Sequence, residues 1–295
     1  MSATGERCTK PPRYFPAVVD ENATLAPGTF VLRLSGCAAL DGARAGQFVM
    51  VRGDWGRDPV LPRAMSLMRA GDGKAELLIK TVGRGTRLLE RCRTGDRLAI
   101  LGPLGRAFPP PEARRQVLVA GGVGLAPLLM WAEEVARQGF ASHASLCYGA
   151  RTAPDLVLEG DLRKAGVELI LATEDGTAGK PGRVTDVLPL DGAPRLLGCG
   201  PTPMLRALHA LALARPLECY LSVEEEMGCG VRVCLGCALP GQKRPFLYAC
   251  SDGPVFRAEE IRWLRICASM PSAASSPRPC WPPRGRSATR ARWLR

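Results

Sequence analysis

The chain has 295 residues, 46% hydrophobic and 5% aromatic, with 33 glycines and 26 prolines, a length and composition that fit about two domains of turn-rich β and α/β structure better than a helical bundle. Its net charge of +12 is largely terminal: eight arginines and no acidic residue lie from Arg262 onward, and without them the excess is +4. No nucleic-acid groove is expected from that distribution, and no stretch approaches the ~18 apolar residues of a membrane span.

The start, MSATGERCTKPPRYF, lacks an apolar leader, so a reducing cytoplasm is the expected compartment despite twelve cysteines. Residues 14–112 read as an antiparallel β-barrel. TFVLRLSG, QFVMVRGD, AMSLMRA, AELLIKTVG and DRLAILGPLG are short, β-rich and separated by Gly, Asp and Pro. Two motifs sit in this region. Arg63-Ala64-Met65-Ser66 opens one strand, where an arginine can pair with a pyrophosphate and a serine can hydrogen-bond a ring nitrogen. Val82-Gly83-Arg84-Gly85-Thr86 can wrap phosphate with N–H and hydroxyl donors. Taken singly, Arg63 reads more readily as a solvated surface arginine.

From 113 to 215 the pattern changes to strands alternating with helices, which predicts a doubly wound parallel sheet. VLVA runs into Gly121-Gly122-Val123-Gly124-Leu125-Ala126-Pro127 and then an amphipathic helix. Glycines there let backbone approach a pyrophosphate at a helix N-terminus, although the motif is not G-x-G-x-x-G and a tight structural turn is the plain alternative. Leu197-Gly198-Cys199-Gly200-Pro201 ends a later strand, at the edge where such sheets bind ligands; Cys199 is expected to face that crevice or to be buried in the turn. His209, in LRALHALALA, reads as structural.

Residues 216–261 form a small third unit around Cys229, Cys234, Cys237 and Cys250, spaced C-x4-C-x2-C-x12-C. That is plant-type [2Fe–2S] spacing: a tight loop with Gly228, Gly230 and Gly236 brings three thiolates together and a nearby strand returns the fourth. Zinc sites usually show two separated short pairs, and disulfides fit the compartment poorly, but both remain open on spacing alone. The other eight cysteines are expected to be mostly buried small hydrophobes. The segment 262–295 is Pro, Ser, Ala and Arg without periodicity, expected to be a disordered tail carrying a free Cys280.

The order of these motifs resembles the ferredoxin–NADP reductase superfamily with a cluster domain appended. Within it, the chain is similar to the electron-transfer subunits of dihydroorotate dehydrogenase B, across about residues 14–261. YLSVEEEMGCG, CSDGPVF (Cys250–Phe256) and TEDGTAGKPGRVTDVL (Thr173–Leu188) share that likeness, without a mechanism readable from the residues. The resemblance implies that Arg63, Ala64, Met65 and Ser66 hold FAD, with Leu78, Ile79, Lys80, Gly85 and Thr86 along its ribityl and phosphate path. Gly121, Gly122, Gly124 and Pro127, with Cys199, Gly200 and Pro201, would receive NAD(H); Ser66 and Cys199 would stand beside the reacting rings. The family often has Pro or Tyr where Ala64 stands, so a rigid or stacking contact is lost there. The implied activity is electron transfer between NAD(H), FAD and a [2Fe–2S] cluster, to or from an FMN-bearing catalytic subunit that oxidises dihydroorotate in pyrimidine biosynthesis. The implied assembly is a heterotetramer of two subunits each. A reductase subunit of the same fold serving a ferredoxin:NADP oxidoreductase, hydrogenase or sulfite reductase is the near alternative, and a cluster-based redox sensor is the alternative of another class. Arg151 and Arg163 lie in regions suited to reading the ribose 2′-position.

Overall fold

The structure, a computed structural model, describes residues 11–263. The expected tail and Cys280 therefore lie outside the described residues, apart from Arg262 and Trp263.

The first half of the chain makes seven antiparallel strands: β1 (Arg13–Ala26), β2 (Thr29–Ser35), β3 (Phe48–Gly53), β4 (Arg63–Ser66), β5 (Arg69–Gly71), β6 (Lys74–Lys80) and β7 (Arg97–Leu104). The order is β4-β3-β7-β1-β2-β6-β5, and one short helix, α1 (Arg84–Glu90), follows β6. The two edge strands are consecutive in sequence. At their junction the Leu67 N–H still bonds Gln47 on one side while the Met68 N–H bonds Glu76 on the other. One bent segment thus spans both edges and curls the sheet into a half-barrel rather than a fully closed barrel. Side chains alternate with the period of two that strands impose. Phe30, Leu32, Leu34, Val49, Val51, Leu77, Ile79, Leu98 and Ile100 fill the inside, while Val31 and Leu78 pack outward against the next layer.

Four of the five expected segments coincide with β2, β3, β6 and β7, and AMSLMRA spans β4 and the start of β5. The longest strand, β1, gave no such signal: its side chains are mostly exposed or half-buried, so alternation is faint. It is fixed by pairing, with β7 over Arg13–Val18 and with β2 over Val18–Ala26.

The second sheet contains β8 (Gln116–Gly121), β9 (Ala144–Ala150), β10 (Glu168–Thr173), β11 (Lys180–Pro181), β12 (Arg195–Cys199) and β13 (Cys219–Ser222), with α2 (Leu125–Arg137), α3 (Glu159–Lys164) and α4 (Thr202–Ala214) between them. After β13 come a hairpin of β14 (Ala238–Pro240) and β15 (Phe246–Tyr248), then β16 (Val255–Arg257). The order is β11-β10-β9-β8-β12-β13-β16, parallel except for β16. Strands leave β8 in opposite directions, so β8 and β12 flank the switch point where open α/β sheets bind ligands. β8 is buried along its whole length, as a central parallel strand covered on both faces must be.

The cluster segment expected at 216–261 begins and ends on strands of this second sheet, β13 and β16. It is a loop held at both ends by a large core. Both sheets and this segment belong to one compact unit ending at Arg262. Arg69 on β5 ties the sheets together through Glu133 on α2 (2.5 Å), Asp161 on α3 (3.4 Å) and Glu76 on β6 (3.0 Å).

Candidate functional site

The ends of β8, β9 and β12 open onto a cleft of about 420 Å³. Its floor is made by two glycine turns that interlock. A Cβ on Gly124 would lie 2.3 Å from the Cys199 carbonyl oxygen, and one on Gly121 would lie 2.8 Å from Pro201 Cδ. Gly200, at φ +156°, would bring a Cβ within 2.9 Å of the Gly121 nitrogen. Only side chains of zero size let these two strand ends approach so closely, which is why both motifs carry glycine. Gly121, Gly122 and Pro201 line the cleft as expected.

Two expected residues are elsewhere. Pro127 is buried in the first turn of α2, where its missing N–H has no intrahelical acceptor to lose. Cys199, expected either at the crevice or buried in the turn, is 3% exposed, so its backbone rather than its thiol shapes the floor. Burial pushes that thiol up to about 12, helped by the charge of Glu224 and opposed by a hydrogen bond to Ser222. It stays protonated at neutral pH.

The cleft also draws in residues from the half-barrel, Thr29 and Lys80. Of the expected trio on β6, Leu78 and Ile79 turn into apolar cores on opposite faces and Lys80 reaches the cleft. Arg151, Arg183, Asp155 and Glu174 line it as well. Arg163 is not among them; it lies on α3 paired with Glu159. Arg183 and Glu174 come from the TEDGTAGKPGRVTDVL stretch, whose glycine-rich path from the end of β10 carries it to the cleft. That run of glycines after β10 was the available signal.

The R-x-x-S motif lies on β4, half-buried throughout, with Ala64 opposite Met50 and Ser66 opposite Phe48 on β3. Arg63 extends across α1: a Cβ on Gly85 would sit 2.2 Å from Arg63 Nε. The fold therefore brings Arg63 onto Gly85 from 22 positions away in sequence. The Thr86 hydroxyl is already engaged, accepting the N–H groups of Val82 and Gly83 at 3.0 Å each and donating to the Gly83 carbonyl. It shapes the turn, leaving the Arg63 guanidinium, whose Nη1 already donates to the Leu61 and Pro62 carbonyls, to offer its remaining N–H groups to a phosphate.

The four cysteines converge as two pairs. Cys237 Sγ lies 3.2 Å from Cys250 Sγ, and the Cys234 thiol bonds Cys229. Backbone N–H groups point at the sulfurs: Val231, Val233 and Cys234 at Cys229 (3.3–3.4 Å), and Arg232 at Cys250 (3.2 Å). Burial would raise the Cys229 thiol, but these donors outweigh it and hold it down to about 7. Thiolates met by N–H donors are what an iron–sulfur cluster asks of its ligands. Among the described residues, no three His, Cys, Asp or Glu side chains group around a single metal ion.

The loop also touches the half-barrel. A Cβ on Gly230 would lie 2.6 Å from Met50 Cγ and 2.9 Å from Leu104 Cδ1. Met50 thus contacts the cysteine loop with its side chain while its backbone pairs with Ala64 of the R-x-x-S motif. Of the five other described cysteines, four are buried, as expected, and Cys92 is half-buried.

The chemistry is that of an oxidoreductase with FAD-, NAD- and iron–sulfur-binding parts. Residues 17–108 match the oxidoreductase FAD-binding domain, 118–210 the oxidoreductase NAD-binding domain, and 224–262 the iron–sulfur cluster binding domain of dihydroorotate dehydrogenase B. The electron transfer subunits of dihydroorotate dehydrogenase B (NAD(+)) from Geobacillus thermodenitrificans and Bacillus caldolyticus are each 39% identical to this chain over 246 residues, covering 80% of it and 94% of theirs. The chain belongs to that family of electron-transfer subunits. A solved structure of an NADH-dependent reduced ferredoxin-NADP oxidoreductase superposes with a TM-score of 0.75 at 26% identity, over 84% of this chain and 90% of that one. The Amycolatopsis cytochrome P450 reductase GcoB gives 0.63 at 29% identity, over 72% and 69%. Among the described residues, no helix is long and apolar enough to cross a membrane.

Proposed function

We propose that this chain carries electrons between NAD(H) and an FMN-bearing, dihydroorotate-oxidising catalytic subunit, in a cytoplasmic assembly of two subunits each that serves pyrimidine biosynthesis. The observation that carries the reading is Met50: one residue of β3 joins the R-x-x-S strand to the cysteine loop. Three parts follow, divided near 14–112, 113–215 and 216–261. Bound there, FAD would supply exchange of one hydride, two electrons, with NAD(H), and a [2Fe–2S] cluster held by the four cysteines would supply one-electron conduction.

The chain's own residues supply position. Arg63, Ala64, Met65 and Ser66, with Gly85 beneath Arg63, hold the flavin nucleotide. Gly121, Gly122, Gly124, Gly200 and Pro201 form the floor on which the dinucleotide lies, with Lys80 beside it. Cys229, Cys234, Cys237 and Cys250 ligate the cluster, each pair serving one iron. Cys234 is exposed, and around it Val231 (41%), Val233 (79%) and Leu235 (51%) present apolar side chains to solvent. An apolar rim beside an electron exit supports a face covered by a partner chain.

Anaerobic titration with NADH tests the relay: flavin absorbance bleaches, and a cluster EPR signal follows. Cys234→Ser leaves NADH-to-flavin reduction intact and stops transfer to the partner. Loss of both steps would make the cluster foremost a structural staple. Co-purification with a flavoprotein that turns over dihydroorotate separates this reading from a reductase serving another partner, which the likeness to the ferredoxin-NADP oxidoreductase supports as fold.

A further inference from the structure

The CSDGPVF stretch holds a buried carboxylate that the relay does not use. Asp252 is 3% exposed, in a cluster segment otherwise rich in exposed side chains. Its Oδ2 accepts the Tyr248 N–H at 3.0 Å, closing a tight turn around Cys250. Its Oδ1 faces two guanidinium groups, Arg232 at 3.8 Å and Arg244 at 3.7 Å. Arg232 also lies over the Tyr248 ring, 4.5 Å from its centroid. This same arginine holds a left-handed backbone, φ +62°, without being glycine. Its N–H is the one backbone donor to Cys250 Sγ among the described hydrogen bonds, at 3.2 Å, beside the thiol of Cys237.

These facts belong together. A non-glycine residue in that conformation relaxes unless its surroundings hold it. Here a buried carboxylate and an aromatic face hold the side chain at one end, and the backbone N–H meets the sulfur at the other. We infer that Asp252 is a positioning residue for the cluster: it anchors Arg232 through charge so that the Arg232 amide donates to the Cys250 sulfur. The consequence is electrical. Reduction adds negative charge to the sulfurs, so an N–H aimed at one of them favours the reduced state and raises the potential. The inference rests on the cluster reading above and adds a residue that touches neither iron nor sulfur with its side chain.

The test is the midpoint potential of the full-length, cluster-loaded protein, read by EPR during anaerobic redox titration. Asp252→Asn keeps an acceptor for the Tyr248 N–H and removes only the charge that attracts Arg232. The midpoint is expected to fall, because the amide drifts from Cys250. A carboxylate acting merely as a nearby negative charge would give the opposite sign, since neutralising it favours the reduced cluster. A rise, or no change, overturns the inference. Arg232→Gly supplies the second arm, because glycine adopts φ +62° without an anchor. In that background Asp252→Asn should no longer lower the midpoint. An equal fall in both backgrounds would show that Arg232 is not the intermediary. If Asp252→Asn alone loses the cluster, retention in the double variant supports the anchoring role, and loss in both overturns it. NADH bleaching of the flavin, which involves neither residue, reports that each variant is folded. Wild-type protein with no cluster signal would instead sink the relay itself.

Discussion

Gly124→Ala is the sharpest probe of the dinucleotide floor. The added methyl would start 2.3 Å from the Cys199 carbonyl oxygen, where ordinary contact begins near 3.4 Å, so β12 and the start of α2 must separate by about 1.1 Å. The obstacle is backbone on a fully buried strand, which cannot rotate away as a side chain would. Backbone strain contributes nothing, because Gly124 sits at φ −60°, ψ −7°, a conformation alanine adopts freely. Overpacking of this kind costs about 2–3 kcal/mol. For a domain of this size that lowers Tm by about 4–12 °C. Moving the floor also tilts Gly121 and Pro201, so the NADH KM for flavin bleaching should rise at least about tenfold, the equivalent of ~1.4 kcal/mol. FAD content should hold, since Arg63 lies on β4 of the half-barrel and Gly85 on α1 beside it. Gly122→Ala is the control: nothing stands within 4 Å of its Cβ, but φ is +54°, so its cost of about 1–2 kcal/mol comes from the left-handed backbone alone. Differential scanning fluorimetry and anaerobic stopped-flow read both quantities. A Gly124→Ala protein with wild-type Tm and wild-type NADH KM would refute the interlocked-turn argument.

Three further outcomes follow from the same coordinates. Burial pushes Cys147, Cys199 and Cys219 up to about 12 from an ordinary 9, so these thiols ionise in the unfolded chain before the folded one; their stabilisation is intact below pH 9 and lost as pH rises toward 12, Tm should be level from pH 7 to about 8.5 and fall above it, and Cys219→Ala should lessen the slope. Arg151 and Arg183 line the cleft without an ion pair to any other described residue, and Arg151 follows the strand next to the switch point; Arg151→Glu should raise the KM for NADPH by about tenfold or more while moving that for NADH by less than about threefold, measured by steady-state flavin reduction. Arg69→Leu leaves Glu76, Glu133 and Asp161 facing one another at a partly solvated junction, and should cost about 1–2 kcal/mol, seen as a drop of about 2–8 °C in Tm that high salt partly recovers.

Much of this site could be read before any fold was known, because local geometry demands particular residue types. The cysteine spacing and its glycines predict a loop that presents thiolates to N–H donors, and Val231, Val233 and Cys234 do point at Cys229. The glycine turns at 121–124 and 199–201 follow from strands that must end at a crevice. What stayed hidden was direction. Cys199 looks like a crevice residue because its neighbours are glycines, yet its thiol turns toward Ser222, and nothing in a single strand says which face is covered. Thr86 looks like a phosphate donor, yet its hydroxyl is spent on its own turn.

Chain order and residue chemistry were therefore enough for the three binding parts, their sequence along the polypeptide and the family, since each part is a local motif with a steric or ligating requirement of its own. Tertiary packing alone decided how the parts meet. Met50 joins the R-x-x-S strand to the cysteine loop, Arg63 comes to rest on Gly85, and Asp252 reaches Arg232 across 20 positions. These contacts depend on which strands pair and which faces are buried, and pairing between distant strands leaves little trace in the residues that take part in it.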